Sequence, residues 1–122
     1  MGHSILIVDD SPQFRAMAAE LLVERGFEVL GTVGDGEQAL AAAGRRCPDG
    51  ILLDVNLPGR DGFAVAASLA AACPTARIVL TSADFAQLPD GLLRSCAAAA
   101  FVAKEELAAA DLPGLFRTPA GR

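Results

Sequence analysis

Two unbroken apolar runs, Ile5-Leu6-Ile7-Val8 and Ile51-Leu52-Leu53, constrain the fold of this chain more than any other feature. A strand with one wet face alternates apolar and polar residues. A run without alternation reads as a strand buried on both faces. Each run ends in acid: Asp9 and Asp10 follow the first, and Asp54 follows the second. Two carboxylates about 4 Å apart, at an effective dielectric of about 20, repel by roughly 4 kcal/mol. A fold accepts such a pair where water screens it or where a cation sits between them.

Strand-like and helix-like segments alternate along the whole chain. Ser11-Pro12 reads as an N-cap followed by proline at the first helical position. Phe14, Met17, Ala18, Leu21 and Leu22 then fall on one helical face, and Gly26 is placed to end the helix. Residues 27–33 read as a second strand, 36–44 as a short alanine-rich helix, and 50–54 as a third strand. Asp61 is positioned to cap a helix over 62–72, which Cys73-Pro74 closes. Residues 76–81 form the fourth predicted strand, a short helix falls within 84–95, and 97–103 is the fifth strand. The fifth is weakly coded, because a run of alanines favours helix. A last helix is expected in 105–117, with Pro113 in its first turn or breaking it, and fraying after Arg117.

This alternation implies an α/β fold, a doubly wound five-stranded parallel sheet with helices on both faces and right-handed connections. At 122 residues, residues 1–117 read as one domain, with 118–122 as a frayed tail. Acids outnumber bases 15 to 10, which argues against direct nucleic-acid binding and suits a cation or a basic partner patch. The cysteines, Cys47, Cys73 and Cys96, lack zinc-ligand spacing. They read as small buried side chains in a reducing compartment. No apolar run approaches a membrane span and no signal-peptide architecture is present, so a cytoplasmic location is expected.

In such folds ligands sit beyond the carboxyl ends of the strands. Asp9 and Asp10 end the first strand, Asp54 the third and Thr81 the fourth, while Lys104, the sole lysine, follows the fifth. The carboxylates are hard oxygen ligands suited to Mg²⁺, which explains why the acidic pair is tolerated. Lys104 and Thr81 are placed to take phosphoryl oxygens, as a point charge and a hydrogen-bond donor. One carboxylate is placed to act as nucleophile and become an aspartyl phosphate.

"ILIVDDS", "ILLDVNLPGRDG", "IVLTSA" and "FVAK" together resemble the receiver domains of bacterial two-component response regulators, from about Ser4 to Phe116. The resemblance implies a flavodoxin-like (βα)5 fold with strand order 2-1-3-4-5. It implies that Asp54 is the phosphoacceptor, charged by the phosphohistidine of a sensor histidine kinase or a histidine phosphotransfer protein. Asp9, Asp10, Asp54 and the backbone carbonyl of Asn56 would hold Mg²⁺. Thr81 and Lys104 would bind the phosphoryl group, and Phe101 would switch with Thr81. Catalysis would extend only to slow self-phosphorylation and dephosphorylation. The expected partners are an output protein or a C-terminal output domain, with a phosphorylation-dependent homodimer as a further state. The exposed face of the first helix is the family's kinase-docking surface.

The sequence also departs from the family. Ala97 and Ala100 stand where glycine is frequent, Phe101 replaces the commoner tyrosine, and Glu105 follows the lysine in place of proline. Asn56 and Ala83 occupy positions that tune dephosphorylation in the family. A haloacid-dehalogenase-like phosphohydrolase uses similar parts. It places its nucleophile and acid two residues apart after the first strand, whereas here the strand-one acids are adjacent. An unphosphorylated interaction module is the remaining alternative. A flavodoxin-like cofactor binder is disfavoured, because two aspartates would repel a phosphate. Asp61 reads as a cap, and His3 as a terminal residue without a ligand role.

Overall fold

Side chains on neighbouring strand positions point to opposite sheet faces, and this chain uses both faces for burial. The computed structural model describes residues 3–57, 59–83 and 100–116. Five parallel strands form the sheet: β1 (Ser4–Val8), β2 (Glu28–Val33), β3 (Gly50–Asp54), β4 (Arg77–Ser82) and β5 (Ala100–Ala103). Their spatial order is β2-β1-β3-β4-β5, as the resemblance implied. Helices α1 (Pro12–Glu24), α2 (Gly36–Arg45) and α3 (Gly62–Ala72) connect the first four strands. A 3₁₀ stretch, Lys104–Ala109, and a short helix α4 (Leu112–Phe116) follow β5.

The apolar runs are buried on both sides, as their lack of alternation requires. Leu6, Val8, Ile51, Leu53, Ile78 and Leu80 pack with α2 and α3. Ile5, Ile7, Leu52, Val79 and Val102 pack with α1, Leu107, Leu112 and Phe116 on the other face. Fully burying a leucine such as Leu22 or Leu80 contributes about 1.5–3 kcal/mol.

Local signals set the helix ends. The Ser11 hydroxyl accepts a hydrogen bond from Phe14 N–H at 3.2 Å, with Pro12 at the first helical position. Gly26 follows α1 with φ +91°, a conformation that costs glycine little. Asp35 and Asp61 cap α2 and α3 by accepting from Gln38 N–H and Phe63 N–H. Gly62 permits a close approach: a Cβ there would overlap the Val55 Cα and the Asp54 and Val55 carbonyl oxygens. The start of α3 is thereby held against the end of β3.

Several expectations change. Met17 is 41% exposed, so the buried face of α1 runs through Ala18 and Leu22 instead. β2 and β4 each begin one residue later than expected. A two-residue antiparallel ladder, Asn56–Leu57 with Arg60–Asp61, was not foreseen. The last helix is confined to Leu112–Phe116, with Pro113 in its first turn as expected, and the 3₁₀ stretch before it was not foreseen. Pro113 has no N–H to donate back to Ala109, and its ring would crowd that carbonyl, so a continuous helix cannot pass. It lies in the first turn of α4, and Arg25 donates to the Ala108 and Ala110 carbonyls at 2.6 and 3.2 Å beside the break.

The cysteine reading is corrected. Cys47 and Cys73 form a disulfide across 26 residues, and Cys47 is exposed. Spacing alone carried no sign of this, because the pairing depends on α2 and α3 lying side by side. Cys96, Ala97, the helix expected in 84–95 and the tail after Phe116 lie outside the described residues.

Candidate functional site

The strand periodicity that fills the core also assembles the site. Asp54 shares its face with Leu52, and Thr81 shares its face with Val79, both on the side covered by α1. Asp54 and Thr81 are register partners on adjacent strands. Asp9, just past β1, and Lys104, just past β5, continue the same parity and meet the other two. The Lys104 ammonium lies 2.8 Å from Asp9 Oδ2 and 3.3 Å from Asp54 Oδ2. It also stands 4.7 Å from the Phe14 ring centroid, a contact worth roughly 0.5–2 kcal/mol.

The remaining carboxylate oxygens are tied to the backbone. Asp9 Oδ1 accepts from Ser11 N–H at 2.9 Å, and Asp54 Oδ1 accepts from Asn56 N–H at 3.0 Å. Arg15 donates to the Asp9 carbonyl at 2.6 Å and so braces the turn between β1 and α1. These bonds leave Oδ2 of each aspartate directed to the shared centre.

Burial dominates the electrostatics. Asp9, Asp54 and Thr81 are buried, at 0%, 3% and 0% exposure. Burial holds the Asp54 carboxyl above the usual aspartate range, and nearby Asp9 pushes the same way. The Asn56 N–H and the Lys104 charge oppose that shift without cancelling it. For Lys104, burial disfavours the ammonium, but the close carboxylates of Asp9 and Asp54 outweigh it. Its pKa lies above the ordinary lysine value.

Two buried oxygens have incomplete partnerships. Thr81 Oγ1 has no hydrogen-bond partner among the described residues. Asp9 Oδ2 makes the close ion pair with Lys104 but lacks hydrogen-bond geometry to it. An unsatisfied buried polar atom costs about 1–3 kcal/mol, so both oxygens are suited to an incoming ligand. Asp9, Asp10 and Asp54 each offer an oxygen within 4.8 Å of the others. Those three carboxylates against one ammonium leave two negative charges, the complement of a divalent cation. Hard oxygen donors, excess negative charge and a free buried lone pair fit Mg²⁺.

The predicted residues divide clearly by position. Asp9, Asp54 and Lys104 are in contact, Asp10 is exposed beside them, and Thr81 adjoins Asp54. Asn56 is exposed, and its N–H braces Asp54. Phe101, 37% exposed, lies on β5 beside a groove shared with Glu106, Asp111 and Leu115. Ala100 pairs with Val79 in the sheet, and no described non-glycine residue has positive φ, so alanine is unstrained there. Asp61 serves as the expected cap. Phe14 and Arg15 were missed as site residues. Their signal was present: the first turn of the helix after Asp9-Asp10 must lie against the acidic edge.

Comparison with known proteins identifies the family of the chain. Residues 5–112 match the response regulator receiver domain. The chain is 37% identical over 78 residues to the transcriptional regulatory protein PdtaR of Mycobacterium tuberculosis, covering 64% of this chain and 38% of that protein. It is 36% identical over 83 residues to the chemotaxis protein CheY of Bacillus subtilis, covering 68% and 69% respectively. The signal receiver domain of NarL from Mycobacterium tuberculosis superposes with a TM-score of 0.77 at 30% identity, covering 99% of this chain and 98% of that one.

Proposed function

The chain belongs to the response regulator receiver domain family, and on that premise we propose that Asp54 is its phosphoacceptor in a Mg²⁺-dependent switch. Receiver domains are phosphoacceptors in signalling, not conventional enzymes, which displaces the phosphohydrolase alternative. The observation that carries the reading is the meeting of Asp54, Asp9 and Lys104 beside the Thr81 hydroxyl, which is unpartnered among the described residues.

Each residue then has a defined task. Asp54 Oδ2 attacks the phosphorus of a phosphohistidine. The P–N bond breaks and its electron pair stays on the imidazole nitrogen. Asn56 N–H holds the other Asp54 oxygen and so orients the attacking one. Thr81 Oγ donates to a phosphoryl oxygen, which satisfies its buried hydroxyl. Lys104 leaves its contact with Asp54 to pair with the transferred group and stays near Asp9. Asp9, Asp10, Asp54 and the Asn56 carbonyl would hold Mg²⁺, which would supply Lewis-acid neutralisation of the phosphoryl charge. Slow self-phosphorylation from small phosphodonors and slow hydrolysis of the product belong to the same reading.

The donor is a sensor histidine kinase or a histidine phosphotransfer protein, docking beside α1, where Met17 and Val23 are exposed. Phosphorylation favours one of two conformations, with Thr81 and Phe101 as the moving pair. That change is read by an output protein, an output domain or a second copy of the chain. The site of action is the cytoplasm. Among the described residues no helix is long and apolar enough to cross a membrane.

Intact-protein mass spectrometry after incubation with acetyl phosphate tests this reading. Wild type is expected to gain one phosphoryl mass, and both Asp54→Ala and Mg²⁺ chelation are expected to abolish the gain. An adduct that persists in Asp54→Ala would overturn the assignment.

A further inference from the structure

The Cys47–Cys73 pair takes no part in the chemistry of the acidic site. Cys47 lies in the connection from α2 to β3, and Cys73 caps α3 before β4. Both are at the amino edge of the sheet, whereas Asp54 is at the carboxyl edge. Their Cα atoms are 5.6 Å apart, within the span that a disulfide bridges without backbone movement.

The two cysteines differ in access. Cys47 is exposed, and Cys73 is 1% exposed within the apolar layer of α2 and α3. Their surroundings also suit the reduced state. Cys47 Sγ lies 3.7 Å from the Ala72 carbonyl, and Cys73 Sγ lies 3.8 Å from the Ala43 carbonyl. Both carbonyls belong to the last turns of helices, which need donors from outside the helix. The S–H groups formed on reduction therefore find acceptors in place.

We propose that Cys47 and Cys73 are a reversible redox modification site, with Cys47 the entry thiol, Cys73 the resolving thiol and an anionic disulfide of the glutathione class the oxidant. An accessible thiol beside a buried partner is the arrangement that thiol–disulfide exchange requires. Arg45 and Arg46, both exposed, precede Cys47 and attract an anionic reagent, with Arg46 also 3.7 Å from Glu28. In the cytoplasm assigned above, disulfides are transient and sensing, not permanent.

The exchange balances in two steps. The Cys47 thiolate attacks one sulfur of glutathione disulfide, whose S–S bond breaks to release one glutathione thiolate. The Cys73 thiolate then attacks the Cys47 sulfur of the mixed disulfide and releases the second. Both leaving thiolates take up the protons that the cysteines gave up. Two protein thiols are oxidised, and one glutathione disulfide is reduced to two thiols. The product joins the ends of α2 and α3 and encloses β3, Asp54 and α3 in one loop. No bond to Asp9, Asp54 or Lys104 changes, so redox state acts on the persistence of the fold and leaves phosphoryl transfer unaltered.

The test equilibrates the full chain with glutathione buffers of varied ratio, traps free thiols by alkylation, and maps the digest by mass spectrometry. A linked Cys47–Cys73 peptide is expected, with a loss of about 2 Da that dithiothreitol reverses and half-conversion within cytosolic glutathione ratios. Reduction should lower Tm by about 10 °C. Cys47→Ser, an exposed change, should fold and abolish that difference. The yield of acetyl-phosphate labelling, measured separately, should match in the two redox states. Thiols that stay alkylatable at every ratio, linkage to Cys96, or a bond that cytosolic ratios never reduce would each overturn the proposal. So would a Tm difference that survives in Cys47→Ser.

Discussion

Asp54 is a carboxylate that folding makes costly to ionise. Burial raises its pKa above the ordinary 3.8, and Asp9 adds to the shift. A raised carboxyl pKa means that the folded state holds its proton more tightly than the unfolded state does. Its contribution to stability therefore falls as pH rises from the ordinary value through the folded one, then levels off. Asp54→Asn, which cannot ionise, is expected to melt several degrees above the metal-free wild type at pH 7. The margin should close below the ordinary carboxyl range, as thermal scans in EDTA across pH would measure. A margin independent of pH would mean that packing, not charge, sets it. Most of the site was legible at this scale, because Asp9, Asp54, Thr81 and Lys104 all stand at strand ends. The place of Phe14 beside the acidic edge was legible, but its contact with Lys104 was not, since that contact joins the two ends of the domain.

The turn from β3 into α3 is the element on which the site rests. Gly62 lets the first turn of α3 sit on the backbone that carries Asp54. Gly62→Ala should destabilise the fold by about 2–3 kcal/mol, read by urea unfolding, because backbone atoms cannot yield as a side chain does. It should also lower acetyl-phosphate labelling by displacing Asp54, the proposed acceptor. Elements bounded by strong local signals matched their expected limits: β3 ran from Gly50 to Asp54, and α3 began after its Asp61 cap. The segment after β5 was harder to read. Its composition favours helix throughout, but Pro113 and the contacts from Arg25 divide it. The ladder at Asn56–Leu57 is too short to show a period of its own.

For the molecule as a whole, cation binding and stability are linked. A ligand that binds only the folded chain stabilises it by about 2.7 kcal/mol at a hundred times its Kd. Millimolar Mg²⁺ should raise Tm by several degrees, EDTA should reverse the rise, and Asp9→Asn should remove most of it. A wild-type Tm indifferent to Mg²⁺ would argue against the metal assignment. Layering and parallel pairing followed from the apolar runs, since strands buried on both faces need cover on both sides. Their spatial order did not, because a buried run does not name its neighbour. That order came with the family resemblance. The Cys47–Cys73 bond was invisible for the same reason: it reports adjacency in space between segments 26 residues apart.

That bond also changes how the chain carries a load. In the oxidised form, residues 47–73 make a covalent ring with the two arms of the chain leaving from its clasp. Once the arms have pulled away from the sheet, tension applied to the ends passes through the clasp and bypasses the backbone of the ring. A nick between the two cysteines opens the ring yet leaves the molecule in one piece. The covalent path between the two arms then no longer depends on the backbone that carries Asp54.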